Sequence, residues 1–154
     1  MKEQVLVVMD AENPSESAFV FGLNFARRMN AGLLILSIVD LPHIDAYWLR
    51  IEWNFQAEME ELTRKKLEPY LERAREAGVE TQCMIRPGNA SQQIAELSHE
   101  GGHCLLAVVG LPARSVKRNP LDRVTRQLME AVEKHLSCPL VTVTGRGDVS
   151  PFTA

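Results

Sequence analysis

Short unbroken apolar runs that alternate with helix-period segments predict an α/β fold, a three-layer sandwich of five parallel strands with helices on both faces. The runs Val5–Met9, Leu33–Val39 and Cys104–Val109 are continuous rather than alternating, as expected of strands buried on both faces. Each run is closed by a residue that stops it: Asp10, Asp40 and Gly110. Two weaker runs complete the set. Leu140–Thr144 has more polar alternation, and Thr81–Ile85 is half polar, which suits an edge strand.

The helices follow in order. Ser15–Asn30 places Ala18, Phe21, Phe25 and Met29 on one stripe, and Gly32 is positioned to help end it. The second crossover is the longest. Ile44, Trp48, Ile51, Phe55, Met59 and Leu62 form one stripe, Leu67, Tyr70, Leu71 and Ala74 another, and Pro69 between them predicts a break or kink. The aromatic-rich part around Trp48–Phe55, with Trp53, reads as sheet-covering packing, with a partner surface or pocket lid as the sharper alternative. Ser91–His99 carries Ile94, Ala95 and Leu97 and stops at Gly101–Gly102. Leu121–Leu136 carries Leu121, Val124, Leu128, Val132 and Leu136, with Asn119 as N-cap and Pro120 as first helical residue.

The 154 residues suit one domain, residues 1–145, with 146–154 as a frayed C-terminal tail. The Arg146-Gly147-Asp148 triplet in that tail reads as chance. Charged residues at 24% and hydrophobic residues at 45% are ordinary globular usage. A net charge of −3 argues against a general nucleic-acid binder. Cys83, Cys104 and Cys138 are odd in number and lack CxxC spacing, which argues against a disulfide scaffold and suits a reducing, cytoplasmic compartment. Cys104 is expected to be a buried strand residue. No apolar run reaches the roughly 20 residues of a membrane span, so no membrane partner is expected.

In open parallel sheets, ligands sit beyond the carboxyl ends of the strands, where the strand order reverses. Asp10, Asp40, the segment from Arg86 through Asn89, and Gly110 with the loop after it therefore hold the candidate residues. Asp10, Ser15 and Ala18 have the spacing of a strand-ending Asp with a Ser five and an Ala eight residues on. Val39-Asp40 closes the second run; Gly88, Ala90 and Ile94 lead into the third helix; Val108-Val109-Gly110 precedes a loop; and Cys138-Pro139 precedes the last run. This ordered set resembles the universal stress protein family, whose fold belongs with the adenine-nucleotide α-hydrolases, from Val5 to Gly145.

The resemblance implies a strand order of 3-2-1-4-5, with Asp10 beside Gly110. It also implies a homodimer in which Leu140–Thr144 pairs antiparallel with its copy. The nucleotide or anion site it implies comprises Asp10, Ala11, Val39, Asp40, Gly88, Gly110, Ala113, Arg114, Arg123 and Arg126. The departures fall on the phosphate loop. Nucleotide-binding members carry a second glycine three residues after the first and a Gly-Ser or Gly-Thr about ten further on. Here the second position is Ala113, the last falls near Arg123 or Arg126, and Ala11 replaces the usual glycine after the first Asp. Glycines in such loops let backbone N–H groups approach phosphates without obstruction.

The Gly110–Arg126 segment is not neutral. Arg114, Lys117, Arg118, Arg123 and Arg126 against Asp122 give +4 in a chain of net −3. A solvated loop explains this, as does a site for an anionic small molecule or acidic protein partner. His99, His103 and Cys104 lack a fourth ligand for zinc, Asp10 with Glu12 is a weak Mg2+ pair, and no nucleophile–base–orienter set is present. The expected function is a non-catalytic regulatory or stress-response protein, dimeric, with weak or no ATP binding and no resident cofactor. The alternative is an ATP-binding member with slow, Mg-dependent hydrolysis.

Overall fold

The computed structural model describes residues 3–10, 14–39, 49–87, 90–99, 104–111, 123–135 and 138–151. The elements run β1 (Gln4–Val8), α1 (Glu16–Met29), β2 (Gly32–Val39), α2 (Leu49–Glu76), β3 (Thr81–Pro87), α3 (Ala90–His99), β4 (Cys104–Gly110), α4 (Arg123–His135), β5 (Leu140–Val143) and β6 (Val149–Pro151). The sheet order is β3-β2-β1-β4-β5-β6. The first five strands are parallel to one another, in the expected order, and β3 is the edge strand its polarity suggested.

The continuous apolar runs split by alternation into two cores. Val5, Val7, Leu33, Ile35 and Val108 face Ala18, Phe19 and Ala26 of α1 and Leu67, Leu71 and Ala74 of α2. Leu6, Val8, Leu34, Leu36, Ala107 and Val109 face Ile94 of α3 and Met129, Ala131 and Val132 of α4. Both faces of the central strands are therefore dry, which is why their sequences show no polar alternation.

Four local expectations need correction. The buried face of α1 is Ala18, Phe19, Gly22 and Ala26, not the Phe21–Phe25–Met29 stripe. Met29 is 52% exposed, and Phe21 and Phe25 stack at the margin of the core. Gly22 stands where α1 comes closest to the sheet, because a Cβ there would run into Val7. The helix ends at Asn30, whose φ of 54° supplies the left-handed cap, while Gly32 opens β2. Pro69 does not interrupt α2, which runs continuously through it. The proline is exposed, whereas Leu67, Leu71 and Ala74 hold the helix to the sheet on either side of it. Burial of those anchors outweighs the lost hydrogen bond.

The fourth correction concerns residues 146–154, expected as a tail after a five-stranded sheet. Val149–Pro151 instead forms β6, antiparallel to β5, with Thr142 opposite Ser150. Arg146, Gly147 and Asp148 lie in the connecting turn, where Gly147 has a φ of +88°. The Thr144 N–H donates to the Asp148 carbonyl, and the Asp148 N–H to Thr144 Oγ1. β5 is thus not the edge. The strand was not legible because all three of its residues are exposed and one is proline, an edge residue without an N–H.

An ion pair ties α1 to α2. Arg73 donates to both carboxylate oxygens of Glu16, at 2.6 and 2.8 Å, and its guanidinium lies 4.9 Å from the centre of the Phe19 ring. The Arg73 hydrogen bonds, opposed by partial burial, hold the Glu16 carboxyl below its usual range. A depressed carboxyl adds stability above its unfolded pKa and loses it as pH falls through the folded value. Both side chains are about half exposed, so the pair contributes at most about 1 kcal/mol. Urea midpoints at neutral and acidic pH should therefore differ slightly less in Glu16→Gln than in the parent. An unchanged difference would remove the pair from the stability account.

Candidate functional site

The order of strands makes β1 and β4 neighbours at the point where the chain reverses direction through the sheet, with Val8 opposite Val109. Asp10 follows β1 and is exposed, and Gly110 ends the adjacent β4, so the structure brings these two together as expected. Val39 ends β2 at the same side of the sheet. As a crossover between parallel strands, α4 starts at that side too. It opens with Arg123, and the exposed Arg126 is in its first turn. Ala11, Asp40, Gly88, Ala113 and Arg114 lie outside the described residues, as do Trp48, His103, Lys117, Arg118, Asn119 and Pro120.

The centre of the crevice is the N-terminus of α1. Ser15 is its N-cap, and Ser15 Oγ accepts the Ala18 N–H at 3.2 Å. Gly110 lies directly against this cap. A Cβ at Gly110 would run into the Ser15 side chain and come to 3.2 Å from Ala18 Cβ. The next residue continues the seam, because the Leu111 N–H donates to the Val143 carbonyl at 2.8 Å. From the first turn of α1, Ser17 Oγ donates to the Gly145 carbonyl at 3.2 Å. These contacts hold α1, the end of β4 and the β5–β6 turn in one arrangement. Sequence spacing singled out Ser15, Ala18 and Gly110 but did not show that they touch.

This side of the sheet carries the N-terminus of α1, the Asp10 carboxylate and the exposed Arg126 of α4. Such an arrangement can receive an anion at a helix N-terminus. Among the described residues, no three His, Cys, Asp or Glu side chains converge as a metal site would require. No helix among them is long and apolar enough to cross a membrane.

The model of the universal stress protein family matches residues 1–144. The chain belongs to that family. Its architecture is similar to a universal stress protein family member from Burkholderia pseudomallei, at 19% identity and a TM-score of 0.62 over 92% of this chain and 96% of that one. A universal stress protein solved in complex with cAMP matches at 19% identity and a TM-score of 0.55, over 94% and 98%. The universal stress protein from Archaeoglobus fulgidus solved in complex with dAMP matches at 15% identity and a TM-score of 0.55, over 92% and 97%. At these identities the likeness establishes the fold. No curated protein matches the chain.

Proposed function

We propose that this universal stress protein is a non-catalytic regulatory member of its family, with weak or no ATP binding. The observation that carries the reading is the start of α4. The final glycine of nucleotide-binding members falls near Arg123 or Arg126, both in the first turn of a helix. Neither position is a glycine, so the backbone there lacks the open approach to phosphate that a glycine gives. Ala113 at the second glycine position acts in the same direction. Each lost phosphate hydrogen bond to a charged group costs roughly 1.5–3 kcal/mol, so two lost bonds weaken binding by roughly two to four powers of ten.

A second reading keeps adenine nucleotide at Asp10, Val39 and Gly110. It is favoured by the cAMP and dAMP complexes of two structural relatives. Calorimetry with Mg-ATP separates the two. The first reading expects no co-purifying nucleotide and at most weak, salt-dependent heats from polyanions near Arg114, Lys117 and Arg118. A dissociation constant below about 10 micromolar that persists in high salt would establish the second.

The homodimer through Leu140–Thr144 acquires a condition. The outer edge of β5 pairs with β6, so a copy can reach that edge only by displacing Val149–Pro151. Val143 is a poor probe of such an interface, because it is 1% exposed and part of the core beside α1. The better probe is a chain ending at Gly147. The dimer reading expects light scattering at tens of micromolar to show a larger dimer fraction for the shortened chain than for the full one. Monomers in both would discard it.

A further inference from the structure

Cys104 and Cys138 are 34 residues apart in the chain, yet their Sγ atoms are 2.9 Å apart. An irregularity in the sheet produces this. Along β4, Leu106 and Val108 face the α1–α2 core, and Ala107 and Val109 face the α3–α4 core. Simple alternation would turn Leu105 to the second face and Cys104 to the first. The β1–β4 register slips between Gln4 and Val5, so that Gln4 opposes Cys104 while Val5 opposes Leu106. Leu105 is the extra residue of this bulge. As a result Leu105 packs on the α1–α2 core and Cys104 on the α3–α4 core, the face that Cys138 also joins.

The far side of the pair is fixed as well. Pro139 follows Cys138, and its carbonyl accepts the Ala107 N–H at 2.9 Å, which ties the approach to β5 against β4. Neither cysteine is fully buried, contrary to the expectation for Cys104. Cys83 is on β3, three strands from β4, and packs on the opposite core. Three strand spacings are roughly 14 Å, well beyond disulfide reach.

We propose that Cys104 and Cys138 are a redox site, a dithiol that a peroxide converts to an intramolecular disulfide. With both protonated, the Cys138 thiol donates to Cys104 Sγ and the Cys104 thiol to the Leu106 carbonyl. Once Cys138 loses its proton, the Cys104 S–H can turn to the resulting thiolate, and that hydrogen bond holds the Cys138 thiol below the usual range. The same contact and burial push Cys104 up. The Cys138 thiolate therefore attacks first. Its sulfur takes one peroxide oxygen, the O–O bond breaks, and hydroxide leaves to collect a proton. Cys104 sulfur then attacks the Cys138 sulfenic acid; the S–S bond forms, the S–O bond breaks, and the departing hydroxide takes the Cys104 proton as water. Two thiols and one hydrogen peroxide give one disulfide and two waters, the sulfurs losing the two electrons that the peroxide gains. The site lies at the amino end of β4, away from the Gly110 crevice, and its chemistry needs no nucleotide.

The test uses the full reduced chain treated with hydrogen peroxide, then denatured, alkylated and weighed whole. The untreated protein carries three alkyl tags, one per cysteine. The treated protein is expected to carry one, on Cys83, with a Cys104–Cys138 linked peptide on digestion and recovery of three tags after dithiothreitol. Cys83→Ser should fall from two tags to none. Cys104→Ser should keep Cys83 free and yield a Cys138 sulfenic acid trapped by dimedone. Three tags after treatment, a linkage through Cys83, or disulfide-linked dimers in place of the internal bond would each overturn the proposal.

Discussion

Gly110→Ala is expected to destabilise the protein by about 2–4 kcal/mol and to lower its melting temperature by about 5–15 °C. The reason is space, since positive φ among the described glycines is confined to Gly78 and Gly147. The added methyl would collide with both Cβ and Oγ of Ser15, and Ala18 Cβ at 3.2 Å closes the remaining side. A Cβ cannot swing away as the end of a long side chain can, so the start of α1 must shift and its cap is lost with it. Overpacking of this kind costs typically 1–3 kcal/mol, and loss of the Ser15 cap adds about 1 kcal/mol. Ser15→Gly removes both colliding atoms at the small cost of a glycine N-cap, so the double variant should recover most of the lost stability. A melting temperature within 2 °C of the parent for Gly110→Ala alone would show that the seam is looser than described. The same contact changes the meaning of Gly110. Its glycine is required by α1 packing whether or not a phosphate is bound, so its presence is not by itself a sign of nucleotide.

The second large effect belongs to Gly22, buried on the inner face of α1. A Cβ there would collide with Val7 Cγ2, with Leu33 Cδ1 3.8 Å away. Val7 is fully buried and β-branched, with little rotamer freedom to yield. Alanine gains about 1 kcal/mol of helix propensity over glycine, yet the collision should exceed that gain and leave Gly22→Ala less stable by about 1–2 kcal/mol. Val7→Ala alone leaves a void. Together the two substitutions exchange volumes across the α1–β1 contact, and chemical denaturation should show a coupling of at least about 1 kcal/mol in favour of the pair. Strict additivity would mean that α1 moves away from the sheet to accept the methyl.

The parallel core was legible because both faces of its strands are buried, which leaves Val5–Met9 wholly apolar and Leu33–Val39 apolar but for the buried Ser37. Helix faces were less legible. Phe21, Phe25 and Met29 have a perfect apolar spacing, but close approach to the sheet selects Gly22 and Ala26, and hydrophobicity alone ranks those below phenylalanine. Pro69 misled for the opposite reason: the local rule is sound, but the buried anchors Leu67, Leu71 and Ala74 around it decide the outcome. β6 has no apolar signature because it buries nothing, and its pairing is carried by backbone groups that every sequence has. Of the site, the neighbourhood of Asp10 and Gly110 could be expected, whereas the contact of Gly110 with Ser15 and Ala18 could not. The meeting of Cys104 with Cys138 depends on a one-residue bulge that reverses the direction of a side chain, and no pattern in the residues announces it.

The position of β1 in the middle of the sheet also governs what the chain meets while it is being made. β1 can pair with β2 once Val39 has been synthesised, but its other edge waits for β4, which ends at Gly110. At about 5–20 residues per second that interval of chain takes roughly 4–14 s. Throughout it, the β4-side edge of β1 is open on a nascent polypeptide. Polysomes bring neighbouring copies of this same segment close together, so the slow step in making this protein safely is the wait for its fourth strand.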